Sequence, residues 1–166
     1  VRGMAALLIR TVRPDEHEEI SALALRSKGH WGYSAEFLEA CRAELTYAPS
    51  TCGSGMMRVA TEGATIAGFS LLQGEPPTGE LAALFVDPSA IGTGCGRRLL
   101  VHSLRVAQAR GFTRLLLDAD PGAEPFYLHF GARRTGSSPS GSIPGRELPH
   151  LEFILDPSEG TVDTAR

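Results

Sequence analysis

The residues that most clearly suggest chemistry are three glycines at alternate positions, Gly92, Gly94 and Gly96. An apolar run precedes them, and two basic residues, Arg97 and Arg98, follow directly. Glycine allows backbone N–H groups to approach a ligand closely, and the N–H groups that open a helix attract anions. The pattern therefore predicts a turn that binds an anion, and a pyrophosphate matches it best. A tight strand-to-helix turn without a ligand is the alternative.

Two other phosphate-binding motifs fit this stretch less well. A Walker loop needs Gly-Lys-Ser/Thr, where this chain has Gly96 followed by two arginines. A dinucleotide fingerprint needs a third glycine where Arg97 stands, although Asp118 lies about twenty residues further on, where a ribose-binding acid is expected. The 48 residues after Asp118 are too few for the remaining repeats of that fold. The segment Gly53–Gly55 has the same glycine spacing with no strand before it and no helix after it, so the inference depends on context.

The hydrophobic pattern predicts the strands and helices that position the glycine turn. Apolar runs and alternation predict strands at 7–12, 56–61, 65–72, 80–86, 115–118, 132–135 and 151–155. Asp15 and Glu18 resemble a capping box for a first helix that ends near Arg26, and Ser34 can cap a second helix. Further helices are predicted at about 94–110, ended by Gly111, and at 125–130, whereas 48–55 and 137–145 are predicted to be loops.

Composition narrows the class of protein. The 166 residues suit one domain, 42% of them are apolar and 21% are charged, as in an ordinary globular protein. A net charge of −3 argues against a nucleic-acid partner, and no apolar run approaches the ~18 residues that cross a membrane. Three unpatterned cysteines fit a reducing compartment, so we expect a cytoplasmic protein. The five histidines lack metal-ligand spacing, and no metal is predicted.

Two blocks of the sequence resemble the GNAT superfamily of N-acetyltransferases. The stretch from Val86-Asp87-Pro88 to Ile91-Gly92-Thr93-Gly94-Cys95-Gly96 is similar to the family's acetyl-CoA loop, Gln/Arg-x-x-Gly-x-Gly/Ala. The segment Phe126–Ala132 resembles the family's Phe-Tyr-x-x-x-Gly-Phe block, in the expected order and separation. Ile91 departs from the usual Gln or Arg, which removes a polar contact near the phosphates. Ala132 in place of Phe is a milder departure.

The resemblance implies an α/β (α+β) fold. It has a mixed, mostly antiparallel central sheet of about seven strands, flanked by about four helices and splayed between the fourth and fifth strands. A single N-acetyltransferase domain would occupy residues 4–157, which excludes the three residues before Met4, and residues 158–166 would form a flexible tail. The resemblance also allows a homodimer.

The implied activity is direct transfer of an acetyl group from acetyl-CoA to the primary amine of a small molecule or peptide. The cofactor-binding residues would be Phe85, Val86, Ile91, Gly92, Thr93, Gly94, Cys95, Gly96, Arg97, Arg98, Asp118 and Phe126. Tyr127 would be the acid for the leaving thiolate and Glu80 the base, while the amide of Phe85 or Val86 would face the oxyanion. The acceptor would be bordered by His30, Trp31, Tyr33, Ser140 and Arg146, with Arg146 able to hold an acceptor carboxylate.

Each assignment has a simpler alternative. Tyr127 could only pack against the cofactor, and Glu80 could be an exposed residue without a role. Cys95 stands at a helix start, where thiols are activated, but direct transfer needs no cysteine and a core position is the simpler reading. The turn that holds Trp31 could be a solvated loop. At the level of the protein, a non-catalytic acyl-CoA-binding sensor is the alternative to an enzyme.

Overall fold

A seven-stranded sheet forms the frame of the fold in a computed structural model that describes residues 7–156. Its strand order is β1-β2-β3-β4-β5-β7-β6. The predicted domain start at Met4 and the predicted flexible tail at 158–166 lie outside the described residues. The strands are β1 Leu8–Thr11, β2 Met57–Glu62, β3 Thr65–Glu75, β4 Thr78–Val86, β5 Arg114–Asp118, β6 Arg133–Pro139 and β7 Glu147–Ile154.

Most strand pairs are antiparallel, and β4 with β5 is a parallel pair. This parallel pairing joins only Thr78–Glu80 to Arg114–Leu116, so the rest of β4 continues beyond the paired stretch. The mixed sheet and the separation of its fourth and fifth strands confirm the predicted fold class.

Five α-helices lie within residues 7–156, three of them short: α1 His17–Gly29, α2 Ala35–Cys41, α3 Pro49–Cys52, α4 Cys95–Ala109 and α5 Glu124–His129. Single 3-10 turns at Pro14–Glu16, Pro88–Ala90 and Pro121–Ala123 precede α1, the glycine turn and α5. The predicted cap is confirmed, because the Ser34 hydroxyl accepts a hydrogen bond from the Phe37 N–H at 3.1 Å. Gly111, with φ +91°, ends α4 as expected.

Three local predictions were wrong. The carboxylate that caps the first helical segment is Glu16, which accepts a hydrogen bond from the Arg13 N–H at 2.9 Å, and not a box of Asp15 with Glu18. The predicted loop 48–55 contains α3, which a proline opens at a position where no N–H is needed. The predicted loop 137–145 begins later, because β6 extends to Pro139 through pairing with β7.

The described residues divide into two compact units, which we treat separately. The first unit holds 7–71 and 83–101, and the second holds 72–82 and 102–156. The core of the first unit packs α1 and α2 against β2 and β3, with Ile20, Leu23 and Phe69 fully buried. In the second unit, Gly79 leaves space for a neighbouring ring, since a Cβ there would lie 2.5 Å from Phe112. Within residues 7–156, no helix has the length and apolar character that crossing a membrane requires.

Candidate functional site

The glycine turn is an open cradle of backbone donors. Gly92 and Gly94 have φ of +82° and +87°, values that L side chains rarely adopt, and a Cβ at either would meet nothing within 4 Å. The first N–H groups of α4 have no intrahelical partner, because the helix begins at Cys95. Free donors beside open space at the positive end of a helix fit a pyrophosphate.

Two arginines add positive charge to this turn. Arg97 and Arg98 are exposed, and neither guanidinium forms an ion pair with a described residue. Ile91 is also exposed, at 50% of its surface, and the Thr93 hydroxyl donates to the Ala90 carbonyl. The predicted cofactor residues from Ile91 to Arg98 are therefore together on one turn.

Asp87 fixes the start of the turn. One carboxylate oxygen accepts hydrogen bonds from the Ser89 N–H and hydroxyl, and the other accepts two from the Arg26 guanidinium at 2.8 and 3.0 Å. Burial raises the pKa of Asp87, but the hydrogen bonds from Ser89 and Arg26 outweigh it and hold the pKa below its usual value. The ionised carboxylate thus ties the turn to the last part of α1.

Cys95 belongs to the core of the first unit. Its side chain packs with Leu99 against Ala67, and burial raises the pKa of its thiol to about 11 although Arg98 opposes the shift. A thiol with this pKa stays protonated at neutral pH and is a poor nucleophile. The geometry favours the packing alternative for its side chain.

Gly68 makes this packing possible. A Cβ at Gly68 would lie 2.8 Å from the Phe85 carbonyl oxygen, 2.9 Å from Leu99 and 3.0 Å from the Cys95 sulfur. Only glycine lets β3, the end of β4 and the start of α4 approach so closely. The neighbouring strand end holds Phe85, whose ring centroid lies 5.5 Å from that of Phe69, and Val86, which packs toward the Cys95 side.

The second unit contains the residues predicted to do acid–base work. Tyr127 lies on α5 and is buried, and burial raises the pKa of its phenol. Its ring meets that of Phe126 edge to face at 5.2 Å. Its hydroxyl has no hydrogen-bond partner among residues 7–156. Glu80 is exposed on β4 between two buried neighbours, opposite Leu116 of β5.

Asp118 has a protein partner. Its carboxylate oxygen lies 2.7 Å from Nδ1 of His150, the residue opposite it on β7. The family resemblance implied a cofactor contact for Asp118, and the sequence gave no sign of this cross-strand pair.

The predicted acceptor residues of the first unit form an aromatic turn after α1. Tyr33 stacks on Phe37 with ring centroids 4.1 Å apart, and the ammonium of Lys28 lies 5.4 Å from the Tyr33 ring centroid. His30 and Trp31 are exposed, with ring centroids 6.2 Å apart. The stacked pair anchors the turn, which leaves the exposed indole accessible.

The predicted acceptor residues of the second unit, Ser140 and Arg146, lie in a loop between β6 and β7 that is closed by internal hydrogen bonds. The Ser140 N–H donates to the Arg146 carbonyl at 2.7 Å, and the Ser140 hydroxyl accepts from the Ile143 N–H at 3.1 Å. The Arg146 guanidinium is mostly buried and lies 3.4 Å from the Asp120 carboxylate, which also caps the 3-10 turn before α5. Arg146 thus already has a carboxylate partner within the protein.

Sequence reasoning missed four residues that shape these regions: Gly68, Asp87 as an anchor, Asp120 and His150. A glycine inside an apolar strand indicates a close backbone approach, and Asp before Pro is typical of a turn cap. Gly68, Asp87 and Asp120 could therefore have been identified from the sequence. No local signal marks His150, because its partner is set by strand register. Among the described residues, no group of His, Cys, Asp or Glu could hold a metal ion.

The sequence is similar to those of known acetyltransferases. Residues 12–141 match the family model of the acetyltransferase (GNAT) domain. The chain is 31% identical over 152 residues to the peptidyl-lysine N-acetyltransferase YjaB of Salmonella typhimurium, covering 88% of this chain and 96% of that protein.

Solved structures share the fold. A GCN5-related N-acetyltransferase from Rhodopseudomonas palustris aligns with a TM-score of 0.75 at 23% identity, over 93% of this chain and 99% of that one. The PaiA N-acetyltransferase of Thermoplasma acidophilum, in complex with coenzyme A, aligns with a TM-score of 0.72 at 18% identity, over 90% and 99% of the two chains.

Proposed function

This chain belongs to the GNAT family of acetyl-CoA-dependent acetyltransferases, and we propose that it acetylates the side-chain amine of lysine in a peptide or protein. The observation that carries the acetyl-CoA side of the proposal is the open glycine turn at the start of α4, with donors and arginines suited to a pyrophosphate. The YjaB relative, named for peptidyl-lysine, supports the choice of acceptor. A small-molecule amine is the second candidate. That one domain spans residues 4–157 stays a prediction.

The cofactor would be held mainly by backbone. We assign the pyrophosphate to the N–H groups of Gly92, Gly94 and residues 95–97, since the Thr93 N–H already donates to the Ala90 carbonyl at 3.2 Å. Arg97 and Arg98 supply charge. The backbone of Phe85 and Val86 is assigned to the pantetheine arm, and one of their amides to the carbonyl oxygen as it gains negative charge. When bound, acetyl-CoA supplies an acetyl thioester with a good leaving group.

Tyr127 is proposed as the acid. Its phenol is protonated at neutral pH, as the ordinary tyrosine pKa of about 10 already requires, and its hydroxyl has no competing partner within residues 7–156. A neutral phenol can give its proton to a thiolate as the carbon–sulfur bond breaks. The Phe126 ring packs edge to face against the Tyr127 ring.

Glu80 is proposed as a base that acts through water. An alkyl ammonium has a pKa of about 10.4, so only about one molecule in 10³ carries a free lone pair at neutral pH. Glu80 is exposed and forms no ion pair with a described residue, so its carboxylate can both attract the ammonium and receive its proton.

The acceptor-side residues follow from the same proposal. His30, Trp31 and Tyr33 are proposed to contact the acceptor chain, with exposed Trp31 as its apolar contact. Ser140 and Arg146 are proposed to shape the acceptor side through the closed loop they form, since Arg146 already pairs with Asp120.

Thiol release in parallel with binding tests the proposal. We expect the parent to bind acetyl-CoA in calorimetry and to release coenzyme A thiol only when an amine is added. A lysine peptide with a blocked α-amine should be a better substrate than the same peptide with acetyl-lysine, which serves as the matched control. Binding of acetyl-CoA without thiol release across a panel of peptide and small-molecule amines would indicate a sensor and overturn the proposal.

A further inference from the structure

One face of the second unit's sheet carries charged and polar side chains. Leu116 lies opposite Glu80 on one side and opposite Glu152 on the other, and Asp118 lies opposite His150. Paired residues share a face, as do residues two apart on one strand. The polar face, defined as Glu80, Arg114, Asp118, His150 and Glu152, is therefore a single surface. The opposite face is apolar and buried, and it holds Leu115, Leu117, Leu151 and Phe153.

His150 is oriented on this face by its neighbours. Its Nδ1 lies 2.7 Å from the Asp118 carboxylate and 3.4 Å from the Ser138 hydroxyl. A carboxylate accepts hydrogen bonds, so Nδ1 carries the hydrogen and Nε2 of the neutral ring presents its lone pair. Nε2 has no partner among residues 7–156, and the side chain is 30% exposed. An imidazole fixed in this way is a proton acceptor with an orienting carboxylate behind it.

The reaction itself needs a second proton acceptor. An ammonium nitrogen carries three hydrogens and the amide product carries one, so two protons leave the nitrogen in each turnover. Glu80 is assigned the first proton, which must leave before the lone pair can attack. The second proton leaves after the nitrogen has bonded to the carbonyl carbon and has become positively charged.

We propose that His150 is a further catalytic residue that takes this second proton at Nε2, with Asp118 as its positioning residue. The inference rests on the proposed function. The nitrogen–carbon bond forms, Nε2 removes one proton from that nitrogen, and the carbon–sulfur bond breaks with its electron pair moving to sulfur. Tyr127 protonates the sulfur. Of the two protons that leave the nitrogen, one restores the phenol of Tyr127 and the other is released to water.

The charged groups around His150 are known from the strands that flank it. Asp118 faces it from β5 and the Ser138 hydroxyl from β6, while Glu152 lies two residues along β7. Glu152 is itself paired with Arg114 and Arg133. Asp118 is therefore the carboxylate in contact with the ring, and it stabilises the imidazolium that forms during transfer.

The two proton acceptors have different signatures in pH–rate profiles. In Glu80→Gln, activity should recover as pH rises, because the acceptor then loses its first proton to water. In His150→Gln, we expect kcat to fall by about 10²-fold without recovery at high pH, since the second proton becomes acidic only after the nitrogen has bonded to the carbonyl carbon. The affinity for acetyl-CoA should not change.

The control is His17→Gln, which removes a ring that has no hydrogen bond to a described residue. Its kcat and pH–rate profile should match those of the parent. Asp118→Asn keeps an oxygen that accepts from Nδ1 but removes the charge, so kcat should fall by about tenfold. It also carries the test if His150→Gln does not fold. Added imidazole should restore part of the activity of His150→Ala, which a purely structural role would not allow.

Two results would overturn the inference while leaving the proposed function intact. One is a folded His150→Gln with the kcat of His17→Gln, and the other is recovery of its activity at high pH in parallel with Glu80→Gln. If His150→Gln does not fold, a kcat of Asp118→Asn equal to that of the parent would have the same meaning. A parent that transfers no acetyl group to any amine would instead overturn the proposed function.

Discussion

The glycine turn and the polar face present different kinds of chemical group, backbone in the first and side chains in the second. The turn uses backbone: its donors are N–H groups, Gly92 and Gly94 have positive φ, and its arginines form no ion pair within residues 7–156. The polar face uses side chains already paired with one another, as in Asp118 with His150 and Arg114 with Glu152. A backbone site depends on local sequence, whereas a side-chain site depends on which strands become neighbours.

The largest effect is expected at the backbone site. Gly94→Asp forces a side chain into positive φ and places a carboxylate beside the bound pyrophosphate, so calorimetry should detect no acetyl-CoA binding. Gly55→Asp is the matched control, because Gly55 also has φ +82° and open space but does not precede a helix. Equal affinities in the two folded variants would remove the distinction drawn for the glycine turn.

The next effect concerns the buried phenol. Tyr127→Phe keeps the ring and removes the proton donor, so kcat should fall by about 10²-fold while acetyl-CoA affinity stays unchanged. Steady-state kinetics with calorimetry measures both. Full kcat in the variant would leave Tyr127 with only a packing role.

A smaller, pH-dependent effect is expected at Glu80. Glu80→Gln should lower kcat/KM by about tenfold at the acid end of the profile and recover as the acceptor amine deprotonates. Glu147→Gln, which removes an exposed carboxylate on β7, is the control. If Glu80→Gln shows a profile parallel to that of the parent, the first proton goes elsewhere.

A substitution at Gly68 tests whether the glycine turn depends on the close approach of β3, β4 and α4. Gly68→Ala puts a Cβ 2.8 Å from the Phe85 carbonyl, and thermal unfolding should show a loss of about 1 to 3 kcal/mol together with weaker acetyl-CoA binding. Gly136→Ala, in β6 with open space around it and no positive φ, should lose far less. Similar losses in both variants would mean that the close approach at Gly68 is unimportant.

The smallest expected effect is an increase in the affinity for acetyl-CoA. Ile91 is half exposed where the family has Gln or Arg, so Ile91→Gln should restore a polar contact and tighten acetyl-CoA binding by a few-fold, about 0.5 to 1.5 kcal/mol. Titration calorimetry resolves this difference. Weaker binding would show that the apolar side chain itself contacts the cofactor.

The same contrast explains what could be predicted from the sequence. The strand, glycine turn and helix around Gly94 are local, and the pattern that predicts them also predicts the site. The seven strands were predicted from local pattern in the same way, whereas the block at Phe126–Ala132 was identified by its resemblance to the family. The cap at Glu16 was misassigned because Asp15 and Glu18 also have a suitable spacing. The Asp118–His150 pair was missed because 32 residues separate its members and only the β5–β7 register joins them.

Hydrogen exchange of individual backbone amides, with and without acetyl-CoA, tests the central claim most directly, because it needs no substitution. We predict that exchange slows at the N–H groups of Gly92 and Gly94 and at those of the first turn of α4, from Cys95 to Arg97. Exchange at Gly53–Gly55, which has the same glycine spacing, should not change. Acetyl-CoA that binds while leaving the amides from Gly92 to Arg97 unprotected would contradict a cofactor site built from backbone.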